Sequence, residues 1–234
     1  MRLSSGWTGM PGLEKLPGLR QIPDDLKKNG RSDIPRKTIY RMSLYLRCLQ
    51  RLIQNGIQTV SSDALAQAAG VKPTQLRKDL TYFGQFGRRG LGYEVEQLAK
   101  MISDHLGSSS LQPVILIGVG NLGRALLTYR GFEKEGFEIV AAFDERPERV
   151  RDELKVPIYG MKDLSRVIEE EEVRMAILCV PSQAAQLVAN NLIESGITGI
   201  LNFAPVVLMA PDEVIVNNVN LAIELENLSY FIQD

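Results

Sequence analysis

The chain has 234 residues, 44% hydrophobic and 24% charged, enough apolar material for one large or two modest cores, which excludes a fibrous or wholly disordered protein. No run approaches the roughly 20 apolar residues of a membrane span, and the N-terminus lacks a basic-then-apolar secretory leader, so a cytoplasmic protein is expected. The net charge of −1 hides a division: residues 31–92 carry 11 Lys/Arg against 3 Asp/Glu, net +8, whereas residues 93–234 carry 11 against 22, net −11. Such asymmetry points to one module that meets a polyanion and another that does not. Cys48 and Cys179 form no CxxC and His105 is the one histidine, so neither a disulfide framework nor a Cys/His zinc cluster is expected.

Residues 1–30 hold Pro11, Pro17 and Pro23 among scattered glycines, with a lone Trp7 and no sustained apolar period, and read as a flexible tail. From Pro35, Ile39, Met42, Tyr45, Leu46, Leu49, Leu52 and Ile53 recur at helical spacing and stop at Gly56. Ser61, Ser62 or Asp63 can cap a short helix, Ala64 to Ala69, closed by Gly70; Pro73 then opens another from Thr74 to Phe83. Two short helices across a tight glycine turn make a helix-turn-helix. The glycine-rich stretch Gly84 to Tyr93, with the adjacent cations Arg88 and Arg89, reads as a hairpin or wing. Val95 to Leu106 gives one more helix, and residues 108–112 a linker, so residues 31–107 form a first, winged-helix domain.

Beyond the linker, strand and helix alternate. Pro113 to Ile117, Glu138 to Phe143, Met175 to Val180 and Thr198 to Phe203 are candidate buried parallel strands, and Glu213 to Asn217 a possible last one. Helical segments fall near Leu122 to Glu135, Lys162 to Glu171 and Gln183 to Glu194. The expected class is α/β: an N-terminal winged-helix domain followed by a Rossmann-type doubly wound parallel sheet over residues 113–218. Residues 219–234 place Leu221, Leu225, Leu228 and Ile232 on one stripe, suited to covering the sheet or docking on a second subunit; a homodimer is favoured, since readers of palindromic DNA commonly pair.

Gly118-Val119-Gly120-Asn121-Leu122-Gly123 is a GxGxxG between a strand and a helix. Gly118 permits the turn, Gly120 lets a pyrophosphate approach, and Gly123 lets helix and strand pack, while the helix N-terminus offers N–H groups to the phosphates. Asp144, 21 positions after Gly123, is placed to bind an adenosine ribose and to repel a 2'-phosphate, favouring NAD over NADP. The fingerprint also admits FAD, S-adenosylmethionine or coenzyme A. In the basic half, Thr74, Gln75 and Arg77 are candidates for base edges, and Lys72, Lys78, Arg88 and Arg89 for phosphates or a minor groove. No catalytic residue is expected: His105 precedes the nucleotide domain, Cys179 lies inside an apolar strand, and about 17 residues follow the last strand, too few for a substrate domain.

Arg77-Lys78-Asp79-Leu80-Thr81-Tyr82-Phe83-Gly84, Gly87-Arg88-Arg89-Gly90-Leu91-Gly92-Tyr93, the Gly118 fingerprint and Asn202-Phe203-Ala204-Pro205-Val206-Val207-Leu208 together resemble Rex, the bacterial redox-sensing transcriptional repressors, from about residue 34 to 233. The resemblance implies a homodimer whose winged helices, Tyr82 included, bind operator DNA, whose Rossmann domains bind NAD(H), and whose C-terminal helix is swapped onto the partner. It further implies release from DNA by NADH, binding supported by NAD+, and target genes of fermentation, respiration and NADH reoxidation. The family's switch positions match Arg47, Tyr129 and Asn220, where asparagine replaces the usual aspartate and brings no charge to the pairing. Val180, Pro181, Phe203 and Ala204 are the expected apolar lining at the nicotinamide, which would disfavour the cationic ring of NAD+. The competing readings are an NAD-dependent oxidoreductase, or a coenzyme A or other nucleotide sensor, carrying a DNA-binding module.

Overall fold

A computed structural model of the protein describes residues 34–84, 86–87, 91–150 and 154–232. Residues 1–33, with Trp7, and the wing cations Arg88 and Arg89 lie outside the described residues.

The first element, α1 (Arg36–Gln54), buries Thr38, Met42, Tyr45, Leu46 and Leu49, the stripe its periodicity demands, and ends before Gly56, whose φ of 71° suits glycine. Strand β1 (Thr59–Val60) leads into α2 (Ser62–Ala68), capped by the Ser61 hydroxyl, which accepts the Ala64 N–H at 3.1 Å. The next helix, α3 (Pro73–Thr81), starts on the proline. Strand β2 (Tyr93–Glu94) returns antiparallel to β1, and α4 (Val95–Leu106) packs along α1 and stops at Gly107, φ 74°. Buried Met42, Tyr45, Leu49, Leu65, Leu76, Leu98 and Ile102 form the core of this winged-helix domain.

The second domain is a six-stranded, all-parallel sheet of order β5-β4-β3-β6-β7-β8. Its strands and helices run in chain order as β3 (Gln112–Ile117), α5 (Asn121–Leu127), α6 (Gly131–Lys134), β4 (Phe137–Asp144), β5 (Ile158–Gly160), α7 (Leu164–Glu170), β6 (Met175–Leu178), α8 (Ser182–Glu194), β7 (Gly199–Asn202) and β8 (Ile215–Asn218). Alternation along the strands divides the core. Ile115, Ile117, Ala141, Phe143, Ala176 and Leu178 pack under α7 and α8, whereas Val114, Leu116, Ala142 and Ile177 pack with Leu126, Leu127 and Phe132. Burial on both faces is why these strands read as continuous apolar runs. The chain ends in α9 (Leu221–Phe231).

Two expectations change. The helix expected from Leu122 to Glu135 is two, because the Thr128 hydroxyl donates back to the Arg124 and Ala125 carbonyls and the chain turns through Tyr129 and Arg130 before α6. Strand β5 is an addition: three half-buried residues behind Pro157, too short to show an apolar run.

One polar group organises the winged-helix core. Asp79 of α3 is fully buried. Its Oδ2 accepts Arg41 Nε at 2.5 Å and the Tyr45 hydroxyl at 2.8 Å; its Oδ1 accepts Arg41 Nη2 at 2.7 Å, Gln75 Nε2 at 2.8 Å and, at 3.3 Å, the Thr38 hydroxyl. Burial alone would push this carboxyl up, but the hydrogen bonds from Arg41, Tyr45 and Gln75 outweigh it and hold it below the usual carboxylate range. Asp79→Ala strands the Arg41 charge and should cost about 3–5 kcal/mol in urea unfolding. Because the folded carboxyl titrates lower than the unfolded one, its contribution is present above the ordinary carboxylate range and lost as pH falls through it. The stability gap between the wild type and Asp79→Asn should therefore shrink as pH drops below about 4.

Candidate functional site

The helix-turn-helix has a clear outer face. Asp79, Leu76 and Leu80 anchor the inner side of α3, leaving Lys72, Thr74, Arg77, Lys78 and Tyr82 exposed. Arg77 donates to the Ser62 hydroxyl at 2.9 Å, so its guanidinium is held over the N-terminus of α2. Gln75 sits at the margin of this face, half-buried, with its amide nitrogen committed to Asp79. Gly92, φ 82°, brings the wing's return strand against β1 so closely that a Cβ would overlap the Val60 carbonyl.

The second site lies where the sheet order reverses, outside the carboxyl ends of β3 and β6, the place an open α/β sheet leaves for a ligand. Each glycine of the fingerprint answers to a different neighbour. Gly118, φ 94°, would push a Cβ to 2.5 Å from the Cys179 carbonyl, and at Gly123 a Cβ would overlap the Gly118 carbonyl. Gly120 is different: its φ of −76° is open to any residue and nothing lies within 4 Å of its would-be Cβ. Packing therefore explains Gly118 and Gly123 but not Gly120, which faces open space at the N-terminus of α5.

Asp144, at the end of β4, accepts the Val119 N–H through Oδ2 and the Arg146 N–H through Oδ1, both at 2.9 Å. Its carboxylate thus fixes the glycine loop, and each oxygen keeps a lone pair for a further donor. Asn121 and Leu122 are exposed and Val119 is buried beneath them. Across the crevice, exposed Pro181 and half-buried Val180 follow β6, while half-buried Phe203 and buried Ala204 follow β7. That last loop is held by Asn202, whose Oδ1 accepts the Ala204 N–H at 2.9 Å and whose amide donates to the Val206 carbonyl and to Asn218, each at 2.8 Å.

The three switch positions have separate partners. Arg47 pairs with Glu135 at 3.4 Å, Tyr129 meets Phe132 edge-on at 5.1 Å between ring centres, and Asn220 caps α9 by accepting the Ala222 and Ile223 N–H groups. Among the described residues none of the three bonds to another. His105 lies on α4 with its Nδ1 2.8 Å from the Met101 carbonyl and its ring in a T-shaped contact with Phe83. Burial pushes the Cys179 thiol up to about 11, away from the thiolate form. Two organising residues, Asp79 and Asn202, carry only faint signals in the sequence. Asp79 was a lone acid in a basic run, one step from Leu80 on the apolar stripe, and Asn202 a lone polar residue ending a strand; those placements were the available signals.

The fold and site define a class: a winged-helix DNA-binding module joined to a Rossmann-type nucleotide domain. Residues 33–81 match the family model described as "Putative DNA-binding protein N-terminus", and residues 109–206 the model described as "CoA binding domain". The redox-sensing transcriptional repressor Rex of Desulforamulus reducens is 45% identical over 198 residues, covering 84% of this chain and 94% of that protein. Rex of Streptomyces coelicolor is 42% identical, covering 84% and 77%. Among solved structures, RSP in complex with beta-NAD+ and operator DNA superposes with a TM-score of 0.80 at 36% identity, covering 85% of this chain and 92% of that one. RSP in complex with beta-NADH gives 0.76 at 34% identity, covering 86% and 94%. The chain belongs to the Rex family of redox-sensing transcriptional repressors.

The contrast among the glycines is measurable on the protein alone. Gly123→Ala should lower unfolding stability by about 1–3 kcal/mol through overpacking, whereas Gly120→Ala should stay within about 0.5 kcal/mol of wild type in the same denaturant titration.

Proposed function

We propose that this chain is a repressor that binds operator DNA as a homodimer and is released when NADH occupies its Rossmann domain. The observation that carries the reading is Gly120: a glycine with no internal reason to be one, at a helix N-terminus beside a carboxylate, on the same chain as a cationic helix-turn-helix. Gly118, Val119, Gly120, Asn121, Leu122 and Gly123 would cradle the pyrophosphate and Asp144 the adenosine ribose. The dinucleotide supplies only its redox state; the residues of this chain must convert that state into a geometry.

Val180, Pro181, Phe203 and Ala204 supply the discriminating environment. An apolar lining costs the cationic nicotinamide its hydration and leaves the neutral, reduced ring unpenalised. Shifting a dimer from 1:99 to 99:1 takes about 5.5 kcal/mol of differential affinity, roughly 2.8 kcal/mol for each of two equal sites. On DNA, Arg77, Thr74 and Gln75 would face base edges, with Lys72, Lys78, Tyr82, Arg88 and Arg89 on the backbone or in the minor groove.

Dimerisation rests on α9. Leu225 and Leu228 are 65% and 60% exposed, Tyr230 and Phe231 74% and 82%, and the helix buries no residue. Eleven residues of isolated helix are marginal in water, so such a segment needs a surface to cover. A second copy supplies it by exchange, and Arg47, Tyr129 and Asn220 would then meet across the dimer to couple nucleotide and head.

Two experiments decide the reading. A gel shift on a duplex from the protein's own promoter should show binding with NAD+ and release with NADH; affinity independent of the reduced-to-oxidised ratio overturns it. Leu225→Asp with Leu228→Asp should yield a folded monomer in sedimentation with at least tenfold weaker operator binding, through loss of paired half-sites.

A further inference from the structure

The orientation of one amide on the reading helix is decided by the buried ion pair beneath it. A carboxylate is acceptor-only, so the atom of Gln75 that lies 2.8 Å from Asp79 Oδ1 must be the amide nitrogen. Asp79 cannot relax this constraint by taking a proton, because Arg41 and Tyr45 both donate to it. The amide oxygen of Gln75 therefore points the other way. Among the described residues nothing donates to it, and among them no buried side-chain oxygen or nitrogen lacks a partner, so this oxygen reaches solvent. Gln75 is the third residue of α3, in the N-terminal turn from which a recognition helix meets base edges, and flanks exposed Thr74 and Lys78.

We propose that Gln75 is a specificity-determining residue whose outward carbonyl oxygen accepts a hydrogen bond from the exocyclic amine of one base in each half-site, with Asp79 as the positioning residue that fixes its polarity. The major groove offers such a donor only at adenine N6 and cytosine N4. A free glutamine swivels between donor and acceptor; this one is preset, so guanine and thymine, which show only acceptors at that edge, are disfavoured at its position. The assignment rests on the operator-binding reading above and names the base chemistry within it.

The test uses the full-length protein on its preferred duplex, in which each adenine in turn is replaced by purine and each cytosine by pyrimidin-2-one, deleting a single amine at a time. The wild type should lose about tenfold in affinity at one position per half-site. Gln75→Met should show that loss already on the natural duplex, be indifferent to the replacement there, and keep the wild-type salt dependence. A Gln75→Met profile as sensitive as the wild type at every position overturns the assignment alone. Gln75→Ala guards against a packing artefact: if both variants fail to fold, Gln75 serves only to support Asp79 and the assignment falls. A wild type with no preferred duplex overturns the repressor reading and this assignment with it.

Discussion

The buried carboxylate of Asp79 makes the winged-helix domain one rigid object. A single acidic group accepts from three side chains of α1 and one of α3, so the two helices cannot rotate about each other without leaving a buried carboxylate unpaired. Nothing that happens elsewhere in the chain can reshape the reading face cheaply. A signal that releases DNA must therefore move the head as a body, which in the proposed homodimer changes the distance or angle between two heads. That requirement favours control by subunit geometry over control by local unfolding, since the spacing of two half-sites is fixed by the duplex.

The same economy operates in the second domain, where polar groups hold loops and leave the ligand side bare. Asp144 ties the glycine loop to the chain after β4, and Asn202 ties the loop after β7 to β8. Asp144 acts through two backbone N–H groups and Asn202 through the Ala204 N–H, the Val206 carbonyl and the Asn218 side chain, so the crevice walls are preformed. A preformed apolar wall can tell a charged ring from a neutral one by desolvation, which a yielding wall, admitting water, would not. The charge division of the chain follows the same partition: the excess of cations lies in the half that carries the helix-turn-helix and the excess of acids in the nucleotide half.

Much of this was legible in the residues. Burial on both faces made β3, β4, β6 and β7 stand out as apolar runs, and the glycine spacing between a strand and a helix marked the crevice, although the Cys179 carbonyl against which Gly118 packs is distant in sequence. What escaped reading was what depends on tertiary partners. The break between α5 and α6 comes from a threonine bonding back to its own helix, a choice that periodicity does not encode. Strand β5 is too short for a pattern, and its edge position is known only once β4 is in place. Asp79 looked like one more charge on a basic helix; its burial becomes visible only when Thr38, Arg41 and Tyr45, some forty residues earlier, line up on the facing helix. Gln75 is expected near the bases from its place on α3, yet its polarity cannot be assigned without that partner.

The positions proposed for the switch have separate partners within one protomer. Within the protomer Arg47 is drawn to Glu135, a half-exposed pair in which neither charge is deeply desolvated and which is correspondingly weak. Asn220 uses its side-chain oxygen to cap α9, a role that aspartate fills equally well and that leaves the asparagine amide free to donate. A neutral cap cannot outbid Glu135 for Arg47 by charge. If the partner's α9 brings Asn220 near Arg47, a donor-only guanidinium, the contact must fall on the asparagine oxygen that also caps α9, so it is weaker than the one an aspartate would make. A weak bias suits a sensor: the smaller the intrinsic preference between the two head geometries, the smaller the difference in affinity between oxidised and reduced nucleotide needed to decide the outcome.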